Sequence, residues 1–121
     1  MQKTAMQAIS FVLNDPPHGT ERSDNALRLA VTLALQPERQ VRVFLMADAV
    51  LCTECGQMVS AGDDNIETML TKVAQRGEVA WCGTCMDARG LQDTELMPGC
   101  RRSTMAELAQ WTGQADKVLV F

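Results

Sequence analysis

The sequence predicts an α/β domain built on a parallel sheet, and three observations predict it. Short, nearly continuous apolar runs recur along the chain, as in Met6–Leu13, Val41–Met46 and Lys117–Phe121. Runs of that length suit strands buried on both faces, which is the environment inside a parallel sheet. Segments between them carry apolar residues at i, i+3, i+4 and i+7, the signature of amphipathic helices. Strand and helix patterns alternate throughout, and that alternation is what βαβ units require.

Taken in order, Met6–Leu13 forms the first strand, stopped by Pro16 and Pro17 because proline lacks the N–H that a ladder needs. A helix then runs from about Glu21 to Leu35, with Ala26, Leu27, Ala30, Leu33 and Ala34 on its inner face and Pro37 beyond its end. The second strand is Val41–Met46, followed by a helical turn over Ala47–Leu51 that leads to Cys52. Residues 56–62 are a polar loop bounded by glycines. Asp63 or Asp64 caps a second helix, in which Ile66, Met69, Leu70 and Val73 share a face and Gly77 ends the run. Val79–Trp81 begins the third strand, with Cys82 at its C-terminal end. A short strand is expected near Cys100–Arg102. Thr104 and Glu107 have capping-box spacing ahead of a helix whose inner face is Met105, Leu108, Ala109 and Thr112, ended by Gly113. Lys117–Phe121 closes the chain as a buried strand.

The whole chain, residues 1–121, reads as a single domain without linker or low-complexity segment. Its net charge of −4 offers no basic surface to a phosphate backbone, so nucleic acid is not an expected partner. No apolar stretch approaches the roughly 20 residues of a membrane span, and the first residues lack the pattern of a secretory signal. A cytoplasmic, reducing location is therefore expected. There the five cysteines serve as reactive or metal-binding groups more readily than as disulfides.

Four of them form two Cys-x-x-Cys pairs, Cys52/Cys55 and Cys82/Cys85, with 26 residues between the pairs. Both pairs follow apolar runs, so parallel topology gathers them at the carboxyl edge of the sheet, where open α/β folds place their working groups. Three chemistries suit this arrangement. A thiolate at Cys82, on a turn rich in N–H groups and with Arg89 as charge partner, can accept a sulfane sulfur and pass it on as a persulfide, with Cys85 assisting or resolving. Alternatively, Cys52, Cys55, Cys82 and Cys85 have the composition of a four-cysteine zinc site. Either pair can also act as a thiol–disulfide oxidoreductase, although thioredoxin-like context is missing. Cys100, the odd cysteine, reads as a small core hydrophobe. His18 reads as a solvated loop residue, Asp48 as a helix cap, and the methionines and Trp81 and Trp111 as packing or subunit-interface residues.

Several segments carry a family resemblance. They are Phe44-Leu45-Met46-Ala47-Asp48-Ala49-Val50, Cys82-Gly83-Thr84-Cys85-Met86-Asp87-Ala88-Arg89-Gly90, Leu108-Ala109-Gln110-Trp111-Thr112 and Ala115–Phe121, together with the loop His18-Gly19-Thr20-Glu21. In that order, across nearly the whole chain, they resemble the DsrE family (DsrE/DsrF-like), in particular its YchN-like branch. The resemblance implies a three-layer α/β/α domain with a mostly parallel five-stranded sheet, assembled as a homotrimer or as a hexamer built from trimers. It also implies a role in sulfur metabolism: a sulfur-relay protein, possessing sulfurtransferase character as a persulfide carrier, that exchanges sulfur with donor and acceptor proteins through a strand-end cysteine. That position is Cys82 here. The family pattern does not require cysteines at positions 52 and 55, so their presence keeps the zinc and disulfide readings open beside the relay.

Overall fold

A computed structural model describes residues 6–17, 21–53, 65–92 and 99–121. The elements in chain order are β1 (Gln7–Leu13), α1 (Arg22–Ala34), β2 (Arg39–Leu45), a 3-10 segment (Ala47–Thr53), α2 (Ile66–Arg76), β3 (Glu78–Cys82), α3 (Gly83–Ala88), β4 (Cys100–Ser103), α4 (Met105–Gln114) and β5 (Lys117–Val120). The strands form one five-stranded sheet in the order β4-β3-β2-β1-β5, and every pairing among the described residues is parallel. The predicted class and strand sequence hold.

Topology explains the layers. From β1 through β3 to β4 the chain steps in one direction across the sheet, whereas α4 carries it back to β5 at the far side of β1. Right-handed crossovers then put α1 and α2 on one face and α4 on the other. The first face is the denser. Phe11, Leu13, Val41, Val43, Leu45, Val79 and Trp81 from the strands are almost fully buried there, under Ala26, Leu27, Ala30, Leu70 and Val73 of the two helices. Close approach of α2 to the sheet depends on Gly77, where a Cβ would collide with the Val41 carbonyl.

On the second face α4 lays Trp111 over the middle strands. The Trp111 ring meets Phe44 edge-on, with centroids 6.0 Å apart, and lies between the Arg42 and Arg101 guanidiniums, each 5.6 Å from its centroid. Both arginines bind Glu78, at 2.9 and 3.1 Å, and Arg101 also binds Glu107 at 2.9 Å. The charges are thus neutralised locally, which is the condition for placing them on a half-covered sheet face.

Four expectations need correction. The cap of α2 is Asn65, whose side chain accepts the Thr68 N–H at 2.7 Å; Asp63 and Asp64 lie outside the described residues. In α4 the Thr104 hydroxyl accepts the Glu107 N–H at 3.2 Å, but the Glu107 carboxylate is engaged by Ser103 and Arg101. The buried face of α4 is Leu108 and Trp111, while Met105 is 57% exposed and Ala109 and Thr112 face solvent. Finally, β5 is an edge strand and not a buried one: Val118 and Val120 are 38% and 67% exposed, because α4 covers the centre of the sheet and leaves that margin open.

Candidate functional site

The carboxyl edge of β3 runs directly into a short helix, and the Cys82/Cys85 pair straddles that junction. Cys82 is the last residue of β3 and the N-cap of α3, and Cys85 stands in the first turn of that helix. Sequence patterning did not reveal α3, since six residues are too few to show helical periodicity. Gly83 packs without a side chain because a Cβ there would come within 2.8 Å of Arg102 Nε and 3.1 Å of the Ser103 carbonyl oxygen.

The two thiols differ. Cys82 is only 5% exposed, whereas Cys85 is half-buried. Burial pushes the Cys82 thiol above its ordinary pKa; the Cys85 N–H pulls the other way, the neighbouring Cys85 thiol raises it further, and the Thr84 N–H again lowers it. Desolvation wins because a thiolate loses more hydration than a thiol. The expectation of a lowered pKa at Cys82 is therefore reversed: at neutral pH the resting group is the thiol. Cys85 Sγ accepts the backbone N–H of Ala47 at 3.2 Å. Ala47 opens the 3-10 segment and has φ +50°, the one non-glycine residue in the left-handed region among those described.

Arg89 does not reach Cys82 as a charge partner in the manner expected. Its Nε and Nη2 hold Asp48 Oδ1 at 3.1 and 2.8 Å, and its Nη1 donates to the Cys85 carbonyl at 3.1 Å. Asp48, read from sequence as a helix cap, is thus also half of an ion pair that ties the exit of β2 to the end of α3. A second arginine was missed. Arg102 lies across Gly83 and binds Asp87 of α3 at 2.6 Å. No local pattern in the sequence flags it, because its position comes from the β3–β4 register, which sets Arg102 opposite Trp81.

The remaining sequence candidates fall as follows. Cys52 is fully buried in the 3-10 segment, among the core residues. Cys55 and His18 lie outside the described residues. Among the described residues no three His, Cys, Asp or Glu side chains gather in a metal-holding group, so Cys52, Cys82 and Cys85 do not supply three ligands of the four-cysteine site. Cys82, Cys85 and Cys100 are free thiols. Cys100 is partly buried against the core, as its hydrophobic reading required, and burial pushes its thiol up to about 11 against a smaller opposing pull from the Trp81 indole.

A parallel α/β domain that carries an unbridged dithiol at the end of its third strand is the class this fold and site define. Within that class, the DsrE/DsrF-like family pattern matches residues 7–121. Protein YchN of Escherichia coli strain K12 is 45% identical over 118 residues, covering 96% of this chain and all of the relative. An uncharacterized protein of Methanopyrus kandleri, MK0008, is 33% identical over 116 residues, covering 96% of this chain and 95% of its own length. The crystal structure of the Escherichia coli YchN protein superposes with a TM-score of 0.86, over 96% of this chain and all of that one. A Methanobacterium thermoautotrophicum protein of unknown function, MTH1491, shares the fold at a TM-score of 0.68 with 12% identity, over 96% of this chain and 99% of that one. The chain belongs to the DsrE/DsrF-like family.

Proposed function

We propose that this protein is a sulfur carrier that holds sulfane sulfur as a persulfide on Cys82 and exchanges it with donor and acceptor proteins. The observation that carries the reading is the pairing of Cys82 with Cys85 as free thiols at the carboxyl edge of a parallel sheet, in a family associated with sulfur relay. A thiol attacks a sulfane sulfur, keeps it in an S–S bond, and yields it to a second thiol without net oxidation. A site buried on one side protects that bond from stray reductant. The reading sets the protein in a reducing cytoplasm, where the thiols stay unbridged; among the described residues no helix is long and apolar enough to cross a membrane. We also propose assembly with copies of itself through the α4 face, where Met105, Val118 and Val120 leave apolar surface exposed.

The test is a mass spectrum of anaerobically purified protein before and after treatment with polysulfide. The parent protein is expected to gain one or more 32-Da sulfur adducts that survive acid and are removed by dithiothreitol, and Cys82→Ser to lose the stable one. If Cys82→Ser retains as much sulfur as the parent, the assignment is wrong.

A further inference from the structure

The carrier reading leaves open how sulfur reaches a thiol that is 95% shielded, and the geometry around Cys85 answers it. An S–S exchange needs the attacking sulfur, the transferred sulfur and the leaving sulfur nearly in line, so the attacking thiol must be accessible to a donor that is itself part of another molecule. Cys82 is 5% exposed and Cys85 is half-buried. Cys85 is also the better organised of the two. Its sulfur accepts the Ala47 N–H at 3.2 Å, and its carbonyl is held by Arg89, which is itself anchored on Asp48. The left-handed conformation of Ala47 is strained for a residue with a Cβ, and strain of this kind persists where surrounding structure fixes a functional geometry.

Building on the carrier reading, we infer that Cys85 is the entry thiol: it takes sulfur from a persulfide donor and hands it inward to Cys82. In the first step the Cys85 thiolate attacks the terminal sulfur of a donor R–S–SH. The new bond is Cys85 S–S, the donor's S–S bond breaks, and R–S⁻ leaves. In the second step the Cys82 sulfur attacks the outer sulfur of the Cys85 persulfide. A Cys82 S–S bond forms, the Cys85 S–S bond breaks, and the proton of the Cys82 thiol passes to the Cys85 sulfur. The transferred sulfur keeps its oxidation state, so no outside oxidant or reductant is consumed. The Ala47 N–H holds the Cys85 sulfur in place for the attack on the donor. Asp48 is a positioning residue that acts through Arg89.

Two measurements on the full-length protein test the assignment. Iodoacetamide labelling of reduced parent protein at pH 7.5, quenched at intervals and mapped by peptide, is expected to modify Cys85 at least tenfold faster than Cys82. Stopped-time polysulfide loading, mapped the same way, is expected to place sulfur on Cys82 at least tenfold more slowly in Cys85→Ser than in the parent. Cys82→Ser is expected to begin gaining sulfur on Cys85 at the parental rate but to hold less than the parent once excess polysulfide is removed, because its sulfur stays on the more exposed thiol. Equal or faster labelling of Cys82 overturns the entry role, as does parental loading of Cys82 in Cys85→Ser. A parent protein that takes up no sulfur overturns the carrier reading itself and the entry step with it.

Discussion

Replacing Trp111 by leucine isolates what the arginine sandwich on the α4 face contributes to the fold. Trp111 is 4% exposed, edge-on to Phe44 and flanked by the Arg42 and Arg101 guanidiniums. Leucine keeps an apolar side chain at the site and a good helix former in α4, so the change removes mainly the ring-specific interactions. An edge-to-face aromatic pair is worth about 0.5–1.5 kcal/mol beyond its buried area, and each partly exposed cation–π contact about 0.5–1 kcal/mol. Trp111→Leu is therefore expected to destabilise the protein by about 2–3 kcal/mol, against about 3–5 kcal/mol for Trp111→Ala, which also opens a cavity. Urea unfolding followed by far-ultraviolet circular dichroism, at one fixed protein concentration so that self-association does not shift the midpoint, measures both. A double-mutant cycle with Arg101→Met should return a coupling of about 0.5–1 kcal/mol between the ring and the guanidinium. A loss under about 1 kcal/mol in Trp111→Leu, together with no coupling, would refute the reasoning. It would mean that Glu78 and Glu107 hold the arginines so firmly that the ring adds only area.

Two further predictions concern titration. Glu107 is held below its usual carboxylate pKa first by the Ser103 hydroxyl and then by Arg101, with burial acting against them; a depressed folded-state pKa contributes stability that is present above the unfolded value and lost as pH falls through the folded one. Stability should accordingly decline in the acid range more steeply in the parent than in Glu107→Gln, as read from denaturation midpoints at successive pH values, and superimposable profiles would count against it. Cys100, raised to about 11, runs the opposite way: its contribution is complete below the unfolded pKa and is lost as pH climbs toward the folded one. Thiolate absorbance near 240 nm should show a late-ionising thiol that disappears in Cys100→Ala, and an unchanged titration curve in that variant would exclude the assignment.

The parts of the fold that sequence revealed are those where one physical cause dominates the residue pattern. β1, β2 and β3 are central, so burial on both faces gave them nearly continuous apolar runs, interrupted at Ser10 and Arg42. β5 carries the same pattern in Lys117-Val118-Leu119-Val120, yet it stands at an edge with two of its valines exposed. Strand composition records how apolar a segment is and does not record its place in the sheet order. The α4 face failed for a related reason. Helical spacing chose Met105, Leu108, Ala109 and Thr112, of which only Leu108 is buried; it shares the inner stripe with Trp111, whose ring lies against Phe44 and between Arg42 and Arg101. Those partners come from β2 and β4, strands more than 50 residues apart in the chain, which no local window combines.

The site divides along the same line. Cys82 and Cys85 were legible because spacing alone brings a Cys-x-x-Cys pair together. The groups that make the two sulfurs unequal come from elsewhere: Ala47 and Asp48 from the exit of β2, and Arg102 from β4. Arg89 illustrates the difficulty, since proximity in sequence suggested a charge partner for Cys82, while the nearest carboxylate in space, Asp48, claims its guanidinium. What remains near Cys82 is burial, which favours a neutral thiol over a thiolate. For a nucleophile that attacks unaided this would be a defect. For the inner member of a pair it is consistent with storage, because the outer thiol performs the attack on the donor and the inner one gives up its proton only when sulfur is already at hand.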